Sequence, residues 1–131
     1  MAVAINGTSG LTFNDSTTIT SGYSGAKAWV NYKGTATVGI RSSFNVSSVT
    51  RNGTGDYTVN FTTAMADENY NTLTSMSQYL SYAVPGFASQ VAAIGAKTIT
   101  SQRVYCGQAD ATNNVTLTAL DYHEVCVTIF R

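Results

Sequence analysis

The side chains able to do chemistry in this chain are few, because it holds a single histidine and two cysteines. His123 stands in Asp121-Tyr122-His123-Glu124, where Asp121 and His123 have the types and spacing of a base and the acid that orients it. No nucleophile accompanies them, so a strand-edge turn leading into Val125 and beyond explains the run more simply. Asp67 and Glu68, in Ala66-Asp67-Glu68-Asn69-Tyr70, are a candidate carboxylate pair for acid–base work. A polar loop between strands accounts for them with fewer assumptions. Neither cysteine sits in a Cys-x-x-Cys pair, and a lone histidine cannot complete a four-ligand metal site. The sequence therefore leads us to expect no catalytic residue, no metal and no other cofactor: a protein that is not an enzyme.

Two further constellations are worth placing. Cys106 and Cys126 lie in apolar runs near the C-terminus. They read either as a disulfide or as two buried thiols acting as small hydrophobes. The bridge is slightly favoured, since closing a loop of about 20 residues contributes about 3 kcal/mol in the entropy model. Gln78, Tyr79, Tyr82, Phe87 and Gln90 form the second set. Their rings could stack on sugars while the amides bind hydroxyls, as a distal ligand patch requires. Packing a trimer axis or capping the sandwich is the plainer use of the same rings. Asn-x-Ser/Thr triplets at Asn6, Asn14, Asn45, Asn52, Asn60 and Asn114 follow from an Asn- and Thr-rich composition.

These residues must be positioned by strands. Apolar residues alternate at Tyr57, Val59, Phe61, at Val115, Leu117, Ala119 and at Val125, Val127, Ile129, the pattern of half-buried strands. Gly and Asn turn signals fall between them at Lys33-Gly34, Arg51 to Gly55, Cys106-Gly107 and Asn113-Asn114. The clearest hairpin runs from Ser42 through Asn52-Gly53 to Thr62. Its alternation breaks between Val46 and Val49, where a β-bulge would restore the inward facing. The Ala-rich stretch 83–96 is interrupted by Pro85, Gly86 and Gly95 and is expected to be a long loop rather than a helix. The fold class implied is all-β, an antiparallel β-sandwich of about seven or eight strands.

With 131 residues the chain makes one domain, or one domain plus an arm. Only 11% of it is charged, against roughly 25% in ordinary soluble domains; Ser, Thr and Asn take up the difference. Seven basic residues balance seven acidic ones. That balance argues against a nucleic-acid partner, which needs a basic stripe. No apolar run approaches the roughly 20 residues of a membrane span, and the opening residues lack the pattern of a signal peptide. We therefore expect no membrane insertion.

The first segment differs from the rest. Val3, Ile5, Leu11, Phe13 and Ile19 are its large apolar side chains, separated by glycine- and asparagine-rich joints. They are too few to bury one another, so they must lie on the body, on a symmetry mate or on a foreign surface. We place an extended N-terminal arm at residues 1–22 and a β-sandwich head at 23–131.

Three runs carry a resemblance: Lys27-Ala28-Trp29-Val30-Asn31-Tyr32, Ile40 through Val49, and Asn52 through Met65. They resemble the C-terminal head module of tail-fibre-like proteins of tailed phages, common in phages of cyanobacteria. Gly10 through Thr18 is similar to the short stem that precedes such heads, so the resemblance spans roughly residues 10–70. It implies a trimeric, β-rich virion module. Twenty-two extended residues span at most about 75 Å, which suits a cement protein better than a long fibre. The expectation is a tadpole-like homotrimeric capsid decoration protein on the virion exterior. Its partners would be its own copies and the major capsid protein, met through Val3, Ile5, Leu11, Phe13 and Ile19. The alternative is a receptor-binding tail-fibre tip that recognises a host surface glycan.

Overall fold

Alternation dictates the architecture. In Glu124–Phe130, Val125, Val127 and Ile129 are buried while Cys126 and Thr128 turn outward; in Ala26–Lys33, Ala28, Val30 and Tyr32 are buried in the same way. Each apolar side chain so buried contributes about 1.5–3 kcal/mol, and a one-residue slip would expose the whole set.

The computed structural model describes residues 4–6, 10–12, 18–19, 25–77, 89–109 and 117–131. Among them every regular element is a strand. In chain order these are β1 (Ala4–Asn6), β2 (Gly10–Thr12), β3 (Thr18–Ile19), β4 (Ala26–Lys33), β5 (Gly39–Phe44) and β6 (Val46–Gly53). There follow β7 (Asp56–Phe61), β8 (Asn71–Ser77), β9 (Ser89–Lys97), β10 (Ser101–Ala109), β11 (Leu117–Ala119) and β12 (Glu124–Phe130). All pairings are antiparallel.

From β4 onward the strands form two sheets that share one core. The first has the order β5-β4-β12-β8. In the second, β6 and β7 make a hairpin and β7 pairs with β10. Strand β10 carries β9 on its other side, and β11 continues the line of β7 beyond Tyr105. Inward residues of both sheets meet in the core: Val30, Tyr32, Val127 and Ile129 from one, Tyr57, Val59, Val104 and Cys106 from the other. Tyr32 and Tyr57 join the layers edge to face, with ring centroids 5.2 Å apart. Thr72 and Gln102 are the buried polar pair, linked Oγ1 to Oε1 at 3.0 Å.

The passage from β7 to β11 depends on Gly55. Cys106 N donates to Gly55 O at 2.7 Å, and Leu120 N donates to Cys106 O at 3.1 Å. Gly55 sits at φ +65°, where a Cβ would run into the Cys106 carbonyl and lie 2.8 Å from Leu120 N. Only glycine fits both the angle and the space.

Three expectations need correction. The run 42–50 is not one strand: β5 belongs to the first sheet and β6 to the second. Asn45, at φ +54°, makes the turn between them, and the bulge expected after Val46 follows, as a slip in register between Val46 and Ser48. The region read as loop is strand from Ser89 on, because β10 offers a hydrogen-bonding edge that outweighs the weak strand preference of Ala and Gly. Among the described residues nine strands, rather than about seven or eight, build the two-sheet part. Within the opening segment the described strands pair as a three-stranded sheet of order β1-β2-β3.

Candidate functional site

The residues singled out for catalysis are held apart by their own partners. Asp121 Oδ1 accepts from Tyr57 Oη at 2.5 Å and from Gly55 N at 2.8 Å, and its Oδ2 accepts from Arg51 Nη2 at 2.6 Å. Partial burial pushes Asp121 up, but Arg51, the Gly55 N–H and the Tyr57 hydroxyl outweigh it and hold the carboxyl below its ordinary value. Burial and then Asp121 raise Tyr57, which stays a neutral donor. His123 is not part of this cluster. Its Nδ1 lies 3.1 Å from Arg41 Nη2, and its carbonyl accepts from the same group at 2.9 Å. Asp67 pairs with Arg131 and accepts from Asn69 N at 2.7 Å. Among the described residues no three His, Cys, Asp or Glu side chains gather as a metal would need. No helix among them is long and apolar enough to cross a membrane.

The cysteines are not bridged. Cys106 points into the core from β10, whereas Cys126 lies between inward Val125 and Val127 and therefore faces out from the other sheet. Burial pushes the Cys106 thiol up to about 12, so it stays protonated and inert.

What the fold does assemble is a pair of contrasting outer faces. On the five-stranded sheet, hydroxyls and amides satisfy one another. Asn60 Nδ2 donates to Ser48 Oγ at 3.0 Å and Thr50 Oγ1 at 3.2 Å; Asn52 Nδ2 donates to Thr58 Oγ1 at 2.9 Å and Asp56 Oδ1 at 3.1 Å. On the four-stranded sheet, register aligns Phe44 with Trp29, Trp29 with Thr128, and Thr128 with Leu73. This row crosses the whole sheet, with Phe44 49% and Leu73 63% exposed. Two residues along the strands the row becomes Ser42, Asn31, Cys126 and Ser75.

A polar cluster closes that side of the face. Glu124 Oε1 accepts from Asn31 Nδ2 at 2.6 Å and lies 3.6 Å from Arg41 Nη1, while Oε2 accepts from Ser77 Oγ at 3.2 Å. The donors Asn31 and Ser77 hold Glu124 below the usual carboxylate range. A shallow depression of about 220 Å³ opens beside it, lined by Ser75, Met76, Ser77, Glu124 and Cys126.

The N-terminal sheet supplies a third feature. Its register pairs Ile5 with Leu11 and Leu11 with Ile19, so three of the five apolar residues expected to make contacts form one row across three strands. Val3 and Phe13 lie outside the described residues, as do Gln78, Tyr79, Tyr82 and Phe87 of the expected ligand patch. Gln90 stands in β9, in register with Gln108, and its side chain lies outside the description.

Sequence reasoning missed the Phe44–Leu73 row. Its only trace was Leu73 between two threonines, which reads as an inward Leu; the structure instead buries Thr72 against Gln102. No known protein family matches this chain, and no curated protein or solved structure proves similar to it.

Proposed function

We propose that this chain is a structural protein of a tailed-phage virion, a homotrimeric decoration protein of the capsid. Its N-terminal sheet docks on the major capsid protein, and its β-sandwich head projects from the particle. The observation that supports this reading is the row Ile5, Leu11, Ile19. Alternate positions on the same strands are Ala4, Asn6, Gly10, Thr12 and Thr18, so branched apolar positions in register alternate with small or polar ones along the three strands. Strands of two or three residues cannot stabilise such a sheet in water by themselves. A surface that covers the apolar row supplies what the sheet lacks. Strands β1 and β3 are its edges and are available for strand addition by a capsid element. Three copies at one threefold site add their weak contacts through effective concentration. The resemblance of the runs 27–32 and 40–65 to phage head modules points the same way.

The test is made on particles. Virions lacking the chain should lose infectivity on heating and osmotic shock at milder conditions than wild type. A variant carrying Ile5→Ser, Leu11→Ser and Ile19→Ser together should fail to bind stripped shells while its head melts as before. Equal resistance of the two kinds of virion overturns the decoration role, and label found on the tail alone replaces it with the fibre-tip reading.

A further inference from the structure

An edge strand presents a row of backbone N–H and C=O groups that another strand can pair with, and folded chains blunt such edges with bulges, charges or shortness. In the two-sheet part, four of the five edges are blunted in this way. Strand β5 bulges at Arg41, where the register slips opposite Asn31 and Tyr32. Strand β6 is broken twice, between Val46 and Ser48 and between Arg51 and Gly53. Strand β9 bulges opposite the step from Gln102 to Val104 and ends on Lys97, and β11 is only three residues long. Strand β8 is the exception. Its seven residues, Asn71 to Ser77, include no charge, proline or glycine and keep one unbroken register with β12. Among the described residues no strand lies beyond it. We propose that β8 is a self-association edge, which pairs antiparallel with β8 of a second copy of this chain about a twofold axis at Leu73.

The composition of the strand selects the occupant. A twofold axis sets a strand against its own copy, so a charged edge would oppose like charges. Strand β8 has none to oppose. Its side chains also place the axis. Thr72 is buried against Gln102, so Leu73 stands on the outer face and is 63% exposed. Phe130, in register with Asn71, adds apolar surface at the same margin. With the axis at Leu73, that side chain meets its own copy, Thr72 lies opposite Thr74, and Asn71 lies opposite Ser75. Inward positions then face inward ones and outward face outward, as the two-residue period requires. Leu73 is withdrawn from water, the hydroxyl pair Thr72 and Thr74 is of a kind that stabilises antiparallel strands, and two four-stranded sheets become one of eight. A twofold contact cannot close a trimer, so on a decorated shell it links heads of neighbouring trimers.

The test uses the full chain in solution. Sedimentation equilibrium is run from about 5 to 500 µM, because a contact through one strand per copy is small and responds to mass action. The expected result is a mass that at least doubles over this range, counted from its smallest species, whether that species holds one copy or three. Leu73→Lys and Leu73→Glu should each abolish the rise, since like charges then meet across the axis. Both should melt within about 3 °C of wild type, because the side chain they replace is exposed. An equal mixture of the two should restore the rise. Three results overturn the proposal: the wild-type mass stays constant, either charged variant associates like wild type, or the mixture stays apart. A constant mass together with β8 amides that gain protection from hydrogen exchange only on shells assigns the edge to a capsid strand instead. The proposal does not rest on capsid docking, because Leu73→Lys should still bind the stripped shells that the Ile5, Leu11, Ile19 variant fails to bind.

Discussion

The Tyr57 hydroxyl donates to Asp121 Oδ1 at 2.5 Å, and this one bond ties the β6–β7 hairpin to the segment that enters β12. Gly34 is drawn into the same knot. Its carbonyl is 3.0 Å from Tyr57 Oη and its N–H donates to Tyr122 O at 2.9 Å. The residue whose type suggested catalysis thus has its oxygens occupied by Tyr57, Gly55 and Arg51, and its role is to join elements from both sheets.

Asp121→Asn should therefore destabilise the head by about 1–3 kcal/mol, the usual cost of leaving part-buried donors unmet. Urea midpoints of wild type and variant measure this. The same residue sets an acid response. Its folded value lies below the unfolded one, as does that of Asp56, which Arg103 holds through bonds of 2.9 and 2.6 Å. Each group contributes stability that is fully present above its unfolded value near 3.8 and is lost as pH falls through the folded value. Stability should be level near neutrality and decline below about pH 4, with a shallower decline in Asp121→Asn.

Gly55→Ala meets both a positive φ and the Cys106 carbonyl. A loss of more than about 2 kcal/mol is expected, read as a drop in urea midpoint with an unchanged slope. A loss below about 0.5 kcal/mol would show that the junction between β7 and β11 relaxes freely.

Asn45→Ala removes a side chain that donates to Lys27 O at 3.0 Å and to Thr63 O at 3.1 Å and accepts from Thr63 N at 2.7 Å. It also places alanine at φ +54°. The sum of lost bonds and backbone strain is about 2–4 kcal/mol. These contacts occupy the Asn45 amide, so the triplet beginning there is a fold device. Thermal unfolding of the variant, followed by circular dichroism, checks the size of the effect.

The thiols should separate cleanly under a bulky disulfide reagent. Cys126 should react in the native protein and Cys106 only after unfolding, since burial keeps Cys106 protonated and out of reach. Reducing agent should leave the melting temperature unchanged. Two fast-reacting thiols would contradict the placement of Cys106 in the core.

Much of the body was legible because period-two alternation is a local property. Tyr57, Val59 and Phe61, and Val125, Val127 and Ile129, declare their inward face from spacing alone, and all six are buried. The bulge after Val46 was legible for the same reason, as an interruption of that period. Phe44 was not, because the chain changes sheets at Asn45 and the face that counts as inward changes with it. Leu73 was not, because burial of its neighbour Thr72 depends on a partner thirty residues away in sequence, Gln102.

Composition and alternation were by themselves enough to establish an all-β chain and its main strands, since strand periodicity is carried by neighbouring residues. The assignment of Asp121 to a structural knot, the separation of Cys106 from Cys126 and the alignment of Phe44, Trp29, Thr128 and Leu73 were decided only by tertiary structure. Each depends on which strands lie side by side, and that choice is made by long-range hydrogen bonding and burial, which the local order of residues does not encode.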